Sequence, residues 1–197
     1  MSYRIPNPDD CLHGDASLPN DIHLKDFWRW AFSDLLEDYL KGWFAEWMVC
    51  VLAGLPMGRL HRLEFLRYDH TLGRRRLEVK ATSRWQSWKV LDGDGRLRPT
   101  PKKPATPDSQ VKFGNLRTKK GTYNADVYAF CFHNEADLER WDALDLNQWE
   151  FYLLSREELQ RLGTLSITLK KLRRLSDRMT ARAFQERLRD EIRGHAT

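Results

Sequence analysis

The sequence predicts an α/β fold, a mixed β-sheet core flanked by helices in a single domain. Three observations predict it. Apolar residues recur every three or four positions between Leu24 and Leu52, the period of a helix. From residue 60 the pattern shortens to the alternation of paired strands. Later aromatic-rich apolar runs, 125–132 and 149–154, have strand length. A chain of 197 residues has room for one ordinary domain, and 41% hydrophobic with 31% charged residues excludes wholesale disorder.

The elements follow in order. Residues 1–21 carry Pro6, Pro8 and Pro19 without periodicity and read as an extended N-terminal arm, leaving 22–197 as the domain. A short helix is expected over 24–32, and Ser33-Asp34 offers an N-cap for a longer helix running to Leu52. Gly54 and Pro56 stop that helix, whose apolar stripe reads Leu36, Leu40, Trp43, Trp47, Cys50 and Val51. Strands are expected over 60–69 and 75–85, joined by a tight turn at Gly73-Arg74. Residues 89–122 form a basic irregular segment, interleaving prolines with lysines and arginines, with room for a short element at 110–116. After the strands at 125–132 and 149–154, Ser155-x-x-Glu158 is a capping signature for a short helix. A C-terminal basic helix is expected over 176–193, with Met179, Ala183 and Leu188 on one side.

Several classes are excluded by composition. No uncharged apolar run reaches the roughly 18–20 residues of a membrane span. The N-terminus lacks the apolar core of a signal peptide. Cys11, Cys50 and Cys131 are odd in number, far apart and without CxxC spacing, which reads as reduced thiols in a cytoplasmic protein, not a zinc cage. Cys131-Phe132-His133 has no partner at zinc spacing. No phosphate-cradling glycine loop, GxSxG or His-based nuclease motif is present. Net charge is +5, too small to name a partner, but the first 46 residues lean acidic and the rest carries the positive surplus. Of the eight tryptophans, Trp28, Trp30, Trp43 and Trp47 fall at helical spacing and read as core. Trp85 and Trp88 flank Gln86, where core packing is the simpler role and stacking on a base the alternative.

The chemistry concentrates between Arg67 and Lys80. In a strand alternate residues share a face, so Leu77, Val79 and Ala81 point into a core while Glu78 and Lys80 point together the other way. A two-residue turn at Gly73-Arg74 would set Asp69 opposite Glu78, with Cβ atoms roughly 5 Å apart. Facing carboxylates repel unless a cation lies between them, and an oxygen-only donor set favours a hard ion, Mg²⁺ or Mn²⁺. Glu46 interrupts the apolar face of the long helix, where a carboxylate is costly unless paired or bound to metal. The plain alternatives are a solvated strand face for Glu78 and Lys80, and a glutamate whose head reaches solvent for Glu46.

The helix Lys41-Gly42-Trp43-Phe44-Ala45-Glu46-Trp47-Met48-Val49, then Tyr68-Asp69, then Leu77-Glu78-Val79-Lys80 resembles the PD-(D/E)XK nuclease superfamily. Tyr68 stands where the motif name has proline. The resemblance covers residues 34–90 by motif and extends to about 155 by element order. It implies a restriction-endonuclease-like fold and a Mg²⁺-dependent endonuclease hydrolysing DNA. The implied metal ligands are Asp69, Glu78 and the main-chain carbonyl of Val79, with Glu46 supporting them. Lys80 would position the attacking water, and Gln86 resembles the glutamine that several branches of the superfamily place after the lysine. The product would keep its phosphate on the 5′ end. The implied setting is the nuclease subunit of a bacterial restriction or defence system, compatible with a homodimer or a targeting partner. The rival from another class is a catalytically inactive nucleic-acid-binding or scaffold subunit with the same fold.

Basic residues stand where a polyanion would need them. Arg74, Arg75 and Arg76 sit at the hairpin tip beside the acids, and Lys102, Lys103, Lys119 and Lys120 lie in the irregular segment. Such clusters neutralise phosphates without reading sequence.

Overall fold

The computed structural model describes residues 6–12, 22–55, 67–90, 92, 96, 105–118 and 120–193. Residues 60–66 of the strand expected over 60–69, together with Lys102, Lys103 and Lys119, lie outside them. The chain divides into two compact units, Met1–Leu35 and Leu36–Thr197.

In the first unit, helix α1 spans Leu24–Phe32, as the periodicity predicts. His23 N–H donates to the Asp26 carboxylate at 2.9 Å, satisfying a donor at the helix start. The segment before it is more than an extended arm. Leu12 N–H donates to Ile22 O and Leu24 N–H to Asp10 O, both at 2.9 Å, so residues 10–12 fold back along 22–24. The expected boundary at residue 21 therefore falls inside this unit. No residue of α1 is buried, and Trp30 is 83% exposed, so Trp28 and Trp30 are not core. So short a unit supplies too little chain to cover a helix carrying four large aromatic side chains.

In the second unit, helix α2 spans Asp38–Ala53. Its cap is Glu37, whose carboxylate accepts the N–H groups of Tyr39 at 2.7 Å and Leu40 at 3.0 Å. Ser33, expected to begin this helix, instead closes α1 by donating its hydroxyl to Arg29 O at 2.5 Å. Gly54 ends α2 in the left-handed conformation, φ +71°, and Leu55 N–H reaches back to Cys50 O at 3.0 Å. The buried face includes Ala45, Met48, Val49, Cys50 and Ala53, so of the expected stripe Leu36 and Cys50 are buried while Trp47 is 49% exposed and Val51 is exposed too. Two overlapping apolar stripes exist, and the one with small residues lets the helix axis approach the sheet closely.

The sheet contains β1 (His70–Leu72), β2 (Arg75–Ser83), β4 (Val127–His133) and β5 (Trp149–Ser155), in the order β1-β2-β4-β5. A small ribbon pairs β3 (Lys112–Phe113) with β6 (Ile167–Thr168). The remaining helices are α3 (Ser87–Val90), α4 (Arg156–Leu162), α5 (Leu169–Leu175) and α6 (Ala181–Arg193). β1 and β2 are antiparallel in the expected register, with His70 opposite Leu77 and Leu72 opposite Arg75. Gly73 supplies the turn's positive φ, +59°. β2 runs parallel to β4, and β4 antiparallel to β5, so the sheet is mixed. All seven residues of β4 are buried, which suits a strand covered on both faces.

One face of the sheet packs Leu77, Val79, Val127, Ala129 and Phe151 against α2 and α6. The other packs Tyr128, Phe130, Phe132, Tyr152 and Leu154 against the β3–β6 ribbon, α4 and α5. Ser155 and Glu158 cap α4 reciprocally, as the signature predicts. The last helix is shorter than the expected 176–193, because Met179 pairs with Phe151 through hydrogen bonds of 2.9 and 3.1 Å and α6 begins only at Ala181. Its buried residues are Phe184, Leu188 and Glu191, while Ala183 is exposed. Part of the irregular segment is fastened by ions. Asp108 lies 2.5 Å from both Arg84 and Arg173, and Arg173 reaches the buried Glu150 at 2.8 Å. Among the described residues no helix is long and apolar enough to cross a membrane.

Candidate active site

β2 delivers the two central side chains. Leu77 and Val79 anchor the strand in the core, which fixes Glu78 and Lys80 on the opposite face. Both are half-buried, and Lys80 Nζ lies 2.6 Å from Glu78 Oε1. They line a cleft of about 260 Å³ with Arg67, Asn115, Arg117 and Tyr128. Tyr128 is Glu78's register partner on the neighbouring parallel strand.

Asp69 occupies the edge of the same strand. Its N–H donates to Leu77 O at 2.9 Å, and its carboxylate accepts the Val79 N–H at 2.7 Å. The paired ladder ends at His70 and Leu77, so Asp69 does not face Glu78 as a ladder partner; it turns inward and takes over an amide that a longer β1 would have paired. The N–H and C=O of one strand residue leave by the same edge, so the Val79 carbonyl lies on Asp69's side of β2.

The acids share one electrostatic neighbourhood. Burial chiefly raises the Glu78 carboxyl above its ordinary value; the negative charges of Asp69 and Glu46 add to this, and Lys80 opposes it. Cys50, on α2, is pushed up to about 12 by burial, with Glu46 and Asp69 contributing. Glu46, Asp69 and Glu78 thus act on one another from helix, loop and strand. Among the described residues, however, no group of three His, Cys, Asp or Glu side chains is close enough to grip one ion. Asp69 is engaged with Val79 and Glu78 with Lys80. In kind the donors, carboxylate and carbonyl oxygens, fit a hard divalent cation.

No protein-family model, curated protein or solved structure matches this chain.

The other expected site residues separate. Gln86 does not line the Glu78 cleft. Its side-chain oxygen accepts from Lys41 Nζ at 3.0 Å and its amide donates to Ser83 O at 3.1 Å, beside a second cleft of about 470 Å³. β2 ends at Ser83, and the chain's turn into α3 carries Gln86 away from Lys80. Arg75 pairs with the buried Glu191 and Arg76 with Asp126 at 3.0 Å, so two of the three expected DNA-binding arginines hold the fold together. Asp126 also accepts the Arg76 main-chain N–H at 2.8 Å and pairs with Arg156, clamping the start of β4 to β2. Arg74 and Lys120 are exposed.

Sequence patterns gave little sign of Asn115 and Arg117 as cleft residues. Asn115 follows Gly114 and takes φ +54°, so the Gly-Asn pair was a turn signal, but nothing local says that the turn faces β2. Arg117 Nε is buried with no hydrogen-bond partner among the described residues, a donor held ready beside Glu78 and Lys80.

Proposed function

We propose that the chain is a divalent-metal-dependent endonuclease of the restriction-endonuclease-like fold that hydrolyses DNA phosphodiester bonds. The observation that carries this reading is the Glu78–Lys80 pair in one cleft with Arg67 and Arg117, under the combined negative charge of Asp69 and Glu46. Asp69, Glu78 and the Val79 carbonyl would hold Mg²⁺ or Mn²⁺, with Glu46 behind them. When bound, such an ion polarises a phosphate and acidifies water.

The chain's own residues account for the rest. Lys80 carries an ammonium beside the acid, where it can orient a water toward phosphorus and balance the charge that grows on the phosphate oxygens. Arg67 and Arg117 supply further positive charge for the phosphate to approach an otherwise acidic centre. Tyr128, buried behind Glu78, closes the cleft floor. The bacterial restriction or defence setting, with a targeting partner or a second copy of the chain, rests on the PD-(D/E)XK resemblance.

The second reading is a catalytically inactive nucleic-acid-binding or scaffold subunit. It is favoured by the engagement of Asp69 with an amide and of Glu78 with Lys80. Plasmid and linear DNA incubated with Mg²⁺, Mn²⁺ or EDTA separates the two. Metal-dependent cleavage that Glu78→Ala and Lys80→Ala abolish supports the enzyme. DNA binding without cleavage in either metal supports the scaffold.

A further inference from the structure

We propose that the second cleft is a subsite for an unpaired base of single-stranded DNA, adjoining the site of hydrolysis. The inference deepens the nuclease reading and takes its position from it. Two clefts flank β3 along the same stretch of β2: one holds Glu78, Lys80 and Asn115, the other Thr82, Gln110 and Lys112. Thr82 is two residues beyond Lys80 and on its face, so the clefts are offset by roughly 7 Å of strand, a short step for a nucleic-acid backbone.

The second cleft has the parts that grip a base. Trp88 stands on its wall; Lys89 Nζ lies 5.5 Å from the centre of its ring, and the 53% of its surface that is exposed is what a stacked base would cover. Gln86 presents its amide beside that plate, and the amide's orientation is fixed. Its oxygen is held by Lys41 Nζ at 3.0 Å and one N–H by Ser83 O at 3.1 Å, which leaves the second N–H for a ligand acceptor. Lys41 is only 3% exposed, and Asp38 also holds its ammonium, at 2.9 Å. Its ammonium also donates to Leu36 O at 3.5 Å, and this set of partners holds the Gln86 oxygen in one place. Lys112 is exposed at the rim and suits a phosphate. A base stacked on Trp88 and bonded at its edge by Gln86 has left its own stack and its own partner, which selects a single strand over a duplex.

The test measures binding in EDTA, so that cleavage plays no part. Fluorescence anisotropy of a labelled short oligothymidylate, and of a duplex of equal length, is read against the full chain and its Trp88→Ala, Trp88→Phe and Lys112→Gln variants. Trp88→Ala is expected to weaken single-strand binding about tenfold, Trp88→Phe to restore most of it, and Lys112→Gln to lower the salt slope by roughly one contact. Circular dichroism establishes that the variants are folded. The proposal is overturned if Trp88→Ala binds like the parent chain, if Trp88→Phe loses as much as Trp88→Ala, or if the duplex binds the parent chain as tightly as the single strand. Binding through Trp88 without cleavage in any metal would keep this subsite and remove the nuclease. Cleavage with binding indifferent to Trp88 would do the reverse.

Discussion

The carboxylate of Asp69 accepts the main-chain N–H of Val79 at 2.7 Å. A side chain here does the work of a strand, closing the ladder one position beyond the last β1–β2 pair. The contact also brings a negative charge to the edge where Glu78 is already half-buried. Local geometry is satisfied while electrostatic repulsion remains, a combination that a cation relieves.

The repulsion has a pH signature. Burial, with Asp69 and Glu46, raises the Glu78 carboxyl above its ordinary value of 4.5. For an acid shifted upward, the stability tied to the protonated form is complete below the ordinary value and is lost as pH rises through the folded value. Glu78→Gln, which mimics the protonated form, should therefore gain thermal stability over the parent chain as pH rises from acid to neutral. Melting curves across that range check it, and a constant difference at every pH would refute it. Saturating Mg²⁺ should narrow the difference at neutral pH by stabilising the parent chain.

Asp126 should matter for stability. Its carboxylate takes the Arg76 main-chain N–H and guanidinium and pairs with Arg156. Asp126→Ala leaves those donors short of an acceptor and should cost about 2–3 kcal/mol, while Asp126→Asn, which keeps an acceptor, should cost about half as much. Urea unfolding with unchanged m values is the measurement.

The hairpin arginines should divide by role. Arg74 is exposed, so Arg74→Gln should leave the melting temperature within about 1 °C while lowering the salt dependence of DNA binding by about one phosphate contact. Arg75→Gln breaks the pair with Glu191, a residue buried on α6, and should lower the melting temperature by several degrees. A larger effect of Arg75→Gln on DNA binding than on melting would reverse that assignment.

The three cysteines should react unequally. Cys50 and Cys131 are buried, and burial pushes both thiols up, Cys50 to about 12. Only Cys11, which is partly exposed, should react promptly with an aromatic disulfide reagent at neutral pH, and denaturant should release the other two. Prompt reaction of a second thiol in the native state would contradict the packing of α2 on the sheet.

What the sequence made legible was local. The Gly73 turn fixed the register of β1 and β2, and the Ser155–Glu158 box fixed the start of α4. Glu78 and Lys80 were readable because a period-two pattern decides which face each residue takes. What stayed hidden depends on partners distant in the chain. The pairing of Arg75 with Glu191 spans 116 residues, and nothing near the arginine announces it. Likewise α2 carries two apolar stripes, and only the sheet it meets decides that Ala45 and Ala53 lie beneath while Trp47 lies outside. Gln86 misled for a related reason: proximity to Lys80 in sequence is undone where β2 ends at Ser83.

The parallel pairing of β2 with β4 has a consequence for the order of events in folding. The β1–β2 hairpin closes a two-residue turn, whereas Arg76 and Asp126, which lock β2 to β4, are separated by 50 residues. Closing the longer loop is slower because its entropy must be lost before any contact repays it. The hairpin amides should therefore gain protection in pulsed hydrogen exchange before those of β4. Glu78 and Lys80 would spend that interval on an open, hydrated ribbon, where like charges are screened. The burial that chiefly raises Glu78 is then added only when β4 docks, after the hairpin that already carries Asp69 beside it is in place.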